Sequence, residues 1–164
     1  MKGILLSGAF SAIYAFFATP ALIRFLAKKG FGQFIREDGP TTHLTKRGTP
    51  TMGGLILISG AILGYGFSHL ITGIAMTTSA LLVIALMVGM GIVGFIDDYL
   101  KVAKKRSLGL NAKQKILGQI VVAAAFGYAG LHFPDKDGLT PISTNLSTVR
   151  DTSIKLAIVV VVIW

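Results

Sequence analysis

The stretch that decides the fold runs from residue 77 to residue 106, TTSALLVIALMVGMGIVGFIDDYLKVAKKR. Residues 77–96 carry no charge. About twenty apolar residues are what a helix needs to cross a bilayer. The run then meets two adjacent carboxylates, Asp97 and Asp98, followed by Lys101, Lys104, Lys105 and Arg106. A charged side chain in the middle of a bilayer costs about 3 kcal/mol on insertion scales, so the pair belongs at the water's edge, where it needs a partner.

Working outward, the same pattern recurs. The sequence is 52% hydrophobic and only 14% charged, where a soluble domain carries about a quarter charged residues. An integral membrane protein follows, whose helices satisfy their own backbone hydrogen bonds. Apolar segments fall at residues 4–26, 52–71, 77–96, 116–132 and 154–164. The last is too short to span, so the expectation is an all-α polytopic protein of about five transmembrane helices with the fifth truncated. The first segment is read as a retained helix and not as a cleaved signal peptide. With no cysteine in the chain, disulfides, thiolate metal sites and cysteine nucleophiles are excluded.

Loop charges give the orientation. Lys28, Lys29, Arg36, Lys46 and Arg47 lie between the first two segments, and Lys101, Lys104, Lys105, Arg106, Lys113 and Lys115 between the third and fourth. The link around residues 69–76 has no lysine or arginine, and residues 132–153 have only Lys136 and Arg150. Positive loops stay in the cytoplasm. The N-terminus is therefore expected outside and the aspartate pair on the cytoplasmic face. The segment FPDKDGLTPISTNLSTVRD is rich in turn formers and is expected to be an external excursion with a short strand pair around residues 139–149.

Two readings of the acids stand side by side. On a helix, Lys101 lies at i+4 from Asp97 and i+3 from Asp98, so it can simply neutralise them. Alternatively, carboxylates beside lysines suit a phosphate-handling site, because Mg²⁺ takes one or two carboxylates plus phosphate oxygens. Adjacent helical residues diverge by about 100°, so one carboxylate would bind an ion while the other acts as base or orients a lysine. In KRGTPTMGG, residues 46–54, Thr49 is a good N-cap and Pro50 a good first helical residue, which predicts a helix start there. The lysine precedes the glycine, so this is not a P-loop. Gly60 and Gly64 form a GxxxG, the pattern of close helix packing in membranes. His43, His69 and His132 are isolated, and no HExxH or nucleophile elbow occurs.

DGPTTHLTKRGTPTMGGLILI and GFIDDYLKVAKKRSLGLNAKQKILGQ together closely resemble the first two cytoplasmic signatures of the phospho-N-acetylmuramoyl-pentapeptide transferases, the MraY family. The resemblance implies that residues 1–164 are the N-terminal portion of a multi-pass transferase domain of about ten helices. It implies transfer of phospho-MurNAc-pentapeptide from UDP to undecaprenyl phosphate, giving lipid I and UMP, with Mg²⁺ as cofactor. The partners would be UDP-MurNAc-pentapeptide, undecaprenyl phosphate and the bilayer of the bacterial cytoplasmic (inner) membrane, with a homodimer as the family's assembly and no nucleic acid. Asp97 and Asp98 would be the paired catalytic acids and share in the metal site with residues absent from this chain. Lys46, Thr51, Lys101, Lys105 and Lys113 would contact phosphate or nucleotide. The family's third aspartate, uridine-binding region and histidine-rich segment are not in this sequence, so the 164-residue chain is expected to be inactive alone. The alternatives are a related polyprenyl-phosphate GlcNAc-1-phosphate transferase and a non-catalytic membrane helix bundle.

Overall fold

Small residues on one face of the second apolar segment decide how the first two helices meet. The computed structural model describes residues 1–31, 51–105, 108–143, 145–147 and 151–155, the last two ranges as backbone only. Four helices occur among them: α1 Lys2–Lys28, α2 Gly54–Thr72, α3 Thr78–Ala103 and α4 Ala112–His132. All four are long and apolar enough to cross a membrane. The chain is a multi-pass membrane protein.

Two compact units partition the chain, with α3 and α4 each contributing to both. The first comprises residues 1–74 and 91–115. In it α1 and α2 pack antiparallel along a stripe of Gly60, Gly64 and Ser68, all buried. Ser68 Oγ–H donates to Gly3 O at 2.7 Å, and Phe10 stacks on Phe67 with ring centroids 4.2 Å apart. Ser11 Oγ lies 2.8 Å from Ser7 O in its own helix and 2.8 Å from Gly60 O across the interface. A Cβ added at Gly64 would run into Ser11 Oγ and the Ser7 carbonyl. The GxxxG is thus a close-approach surface, where dispersion and interhelical hydrogen bonds drive association in lipid.

α2 starts later than Thr49 and Pro50 suggest. Those two lie outside the described residues. Thr51 and Met52 are non-helical, Met52 has φ 71°, and the helix begins at Gly54. A residue in the left-handed region cannot continue a right-handed helix, so the start is delayed until after it. α2 ends at Gly73 (φ 66°), whose N–H donates to His69 O at 2.9 Å. That is the usual glycine stop.

α3 begins after Thr77, whose Oγ1 accepts from Ala80 N–H at 3.3 Å, and runs on to Ala103 without a break at the acids. An apolar window ends at the first charge, but Leu100, Lys101 and Ala103 are good helix formers and the backbone ladder continues.

The second unit comprises residues 75–90 and 116–164. Gly89 of α3 faces Val122 of α4, and Gly130 of α4 is covered by Ile142. After α4 the chain turns through Asp135–Gly138, with Gly138 N–H donating to Asp135 O at 2.9 Å. Two antiparallel strands follow, β1 Asn145–Ser147 and β2 Asp151–Lys155. The pair lies farther along the chain than expected. It also displaces the start of the fifth apolar segment, because residues 154 and 155 belong to β2 and not to a helix. Thr152 and Ile154 are β-branched types that favour strand. Residues 156–164 lie outside the described residues.

Candidate active site

The continuity of α3 fixes the geometry of the acid pair. Asp97 and Asp98 sit on one regular helix and point about 100° apart. Asp97 faces inward and is 6% exposed. Lys101, a turn later, bridges the two, with Nζ 2.8 Å from Asp97 Oδ2 and 2.8 Å from Asp98 Oδ1.

Beyond Lys101 the chain reverses. Lys105 takes φ 48°, a left-handed position that ends the helix where glycine would be usual. The returning strand of loop brings Leu110 N–H to Asp97 Oδ1 at 2.9 Å. Gly109 is buried against Asp97, and a Cβ there would collide with the Asp97 carbonyl and carboxylate. Asn111 then starts α4, its N–H donating to Gln114 Oε1 at 3.1 Å, one arm of a capping box. One turn into α4, Lys115 Nζ reaches 3.3 Å from Asp97 Oδ2. Both oxygens of Asp97 are therefore engaged, by three donors. Asp98 uses Oδ1 for Lys101, and among the described residues its Oδ2 has no partner.

The pair borders a cavity of about 260 Å³ between the start of α2 and the end of α3, lined by Met52, Leu55, Ile58, Phe95, Asp97 and Asp98 together with glycines. Its walls are mostly apolar, and among the described residues its only charges are the two carboxylates. Thr51 lies just before α2. Its Oγ1 is buried and has no hydrogen-bond partner among the described residues.

Of the residues proposed from sequence, the structure brings Asp97, Asp98 and Lys101 together. Lys105 is exposed at the end of α3, and Lys113 is exposed in the first turn of α4. Lys46 lies outside the described residues. The Leu110 N–H and Gly109 were not singled out by sequence as parts of the site, and Lys115 appeared there only as one of the basic residues of its loop. The available signal was Gly109 between two segments of good helix formers, which marks a turn able to return α4 to α3. No cluster of three or more metal-ligating side chains occurs among the described residues. His69 Nδ1 lies 2.6 Å from Ile74 O and His132 Nδ1 2.9 Å from Tyr128 O, so each imidazole is engaged at its own helix end.

Residues 46–58 match the family model described as phospho-N-acetylmuramoyl-pentapeptide-transferase signature 1. A protein of Kineococcus radiotolerans with that transferase name is 53% identical over 160 residues, covering 96% of this chain and 44% of its own length. One of Frankia alni is 51% identical over 97% of this chain and 45% of its own. A third, of Streptomyces avermitilis, is 52% identical over the whole chain and 46% of its own length. The chain belongs to the phospho-N-acetylmuramoyl-pentapeptide-transferase family. It spans less than half the length of these transferases. The described part of the transferase signature supplies Met52, Gly54, Leu55 and Ile58 to the wall of the acid-pair cavity. Two segments of the chain, residues 52–58 and 91–98, thus line one cavity.

Proposed function

We propose that this chain carries one side of the site that moves phospho-MurNAc-pentapeptide from UDP onto undecaprenyl phosphate. What carries the reading is the transferase name shared by relatives at about half identity over nearly the whole chain. The acid pair and its lysines suit the chemistry. A lipid phosphate oxygen attacks the β-phosphorus of the UDP-sugar, forming the new P–O bond. The bond from the β-phosphorus to the bridging oxygen breaks, and UMP leaves with that oxygen. Phosphoryl transfer depends on positioning and charge compensation. Lys105 and Lys113, both exposed, offer cations to the donor pyrophosphate, and Lys46 belongs to the same reading.

Mg²⁺, which the family resemblance implies, fits one of the two carboxylates. The oxygens of Asp97 already face three donors, whereas Asp98 Oδ2 has no partner among the described residues and would hold the ion. Mg²⁺ there would offset charge on the phosphates when bound. The loop charges favour a site facing the cytoplasm with the N-terminus outside, and the family resemblance favours the bacterial inner membrane. A lipid acceptor then reaches the acids from within the bilayer.

The test is synthesis of radiolabelled lipid I by a full-length enzyme containing this sequence, with UDP-GlcNAc as the competing donor. The full-length enzyme is expected to use the muramoyl donor, and the 164-residue chain alone is expected to give background. Asp98→Asn is expected to lower turnover at least about a hundredfold, the scale of losing an electrostatic contact to the reacting group. Near-normal turnover in both Asp97→Asn and Asp98→Asn removes the catalytic assignment.

A further inference from the structure

We infer that the two aspartates divide the work, with Asp97 acting as a positioning residue that pins the α3–α4 turn and Lys115 beneath the site, and Asp98 acting as the carboxylate that engages ligand. The inference rests on the functional reading above and deepens it. Four observations converge on Asp97. It is the most buried charged side chain among the described residues, at 6% exposure. Its Oδ1 accepts from a backbone N–H thirteen residues away, at Leu110. Its Oδ2 is shared by Lys101 and Lys115, which come from different helices. Gly109 has room for no side chain, because Asp97 occupies that space.

A carboxylate held in this way is a poor metal ligand. Binding an ion through Oδ2 would place it against two ammonium groups, and an ion on Oδ1 would compete with the Leu110 N–H for that oxygen's lone pairs. The same arrangement suits a support. Asp97 ties the last turns of α3 to the first turn of α4. It thereby sets where Lys113, two residues before Lys115, presents its charge. Asp98, one residue on and rotated by about 100°, also lines the cavity, and among the described residues its Oδ2 has no partner.

The test uses full-length enzyme in a cysteine-free background carrying Leu110→Cys, so that maleimide reports on the turn. Asp97→Asn and Lys115→Met are expected to raise the labelling rate about tenfold, as fits loss of a hydrogen bond to a charged group. Asp98→Asn is expected to leave labelling unchanged. In lipid I synthesis, Asp97→Asn and Lys115→Met are expected to lower kcat about a hundredfold, the effect of a misplacement near 1 Å, with the Mg²⁺ concentration for half-maximal rate unchanged. Lys115→Arg restores most of the rate. Asp98→Asn is expected to raise the Mg²⁺ requirement at least about tenfold. Unchanged labelling in both Asp97→Asn and Lys115→Met overturns the inference, as does a Mg²⁺ shift in Asp97→Asn equal to that in Asp98→Asn. If the unsubstituted enzyme makes no lipid I, the functional reading fails, and the labelling comparison still decides the pin.

Discussion

At Lys101 one ammonium lies 2.8 Å from an oxygen of each aspartate, which a helix permits because i+3 and i+4 fall on neighbouring sides of the same turn. Its side chain is 32% exposed, so the bridge is worth less than a fully buried one. Lys101→Met is expected to destabilise the protein by about 1–2 kcal/mol, since it strips Asp98 of its partner and leaves Asp97 to Lys115. Thermal unfolding in detergent measures this, and an unchanged midpoint would show that the bridge is idle. This contact could be read from spacing alone. Lys115 could not, because its approach depends on Lys105 adopting a left-handed backbone, and nothing in a lysine announces that. Gly109→Ala probes the same return path. Its Cβ would have to displace the Asp97 carboxylate, so a loss of about 1–3 kcal/mol is expected by the same unfolding measurement.

Among the elements, α2 offers a controlled comparison within one helix. Gly64 has Ser11 and Ser7 where a side chain would go, whereas Gly66 has nothing within 4 Å. Gly64→Val is expected to destabilise the α1–α2 pair by about 1–3 kcal/mol through overpacking. Gly66→Ala is expected to be neutral or to stabilise by up to about 1 kcal/mol through helix propensity. Unfolding in mixed micelles by added SDS ranks the two, and equal midpoints would contradict the packing described. The GxxxG spacing made this interface legible in sequence. The ends of the elements were harder. Capping rules favour a start at Thr49 and Pro50, which lie outside the described residues, yet α2 starts only after the left-handed Met52, a conformation that residue type does not announce. α3 outlasts its apolar run because helix hydrogen bonding does not stop where hydropathy does. At the fifth apolar segment the first two residues, 154 and 155, belong to β2, and the rest lie outside the described residues.

For the molecule as a whole, the alternation of loop charge predicts sidedness. Alkaline phosphatase fused after residue 75 or within residues 133–140 is expected to be active, and fused within residues 104–111 inactive. The reverse pattern would turn the acid pair away from a cytoplasmic donor and sink the proposed function. Membrane character and family were legible from the sequence because hydropathy and the two signatures are local in the chain. The internal wiring of the site was not, because it joins Asp97 to a residue on another helix. One feature of the α1–α2 contact bears on how such a protein is made. A first helix enters the bilayer before its neighbour exists, and a lone serine hydroxyl there has no water to turn to. The Ser11 hydroxyl has the Ser7 carbonyl within its own helix and the Gly60 carbonyl at the same 2.8 Å when α2 arrives. It can therefore switch acceptors during assembly without passing through an unbonded state, so the adhesive side chain of the finished interface is no obstacle to the helix that travels alone.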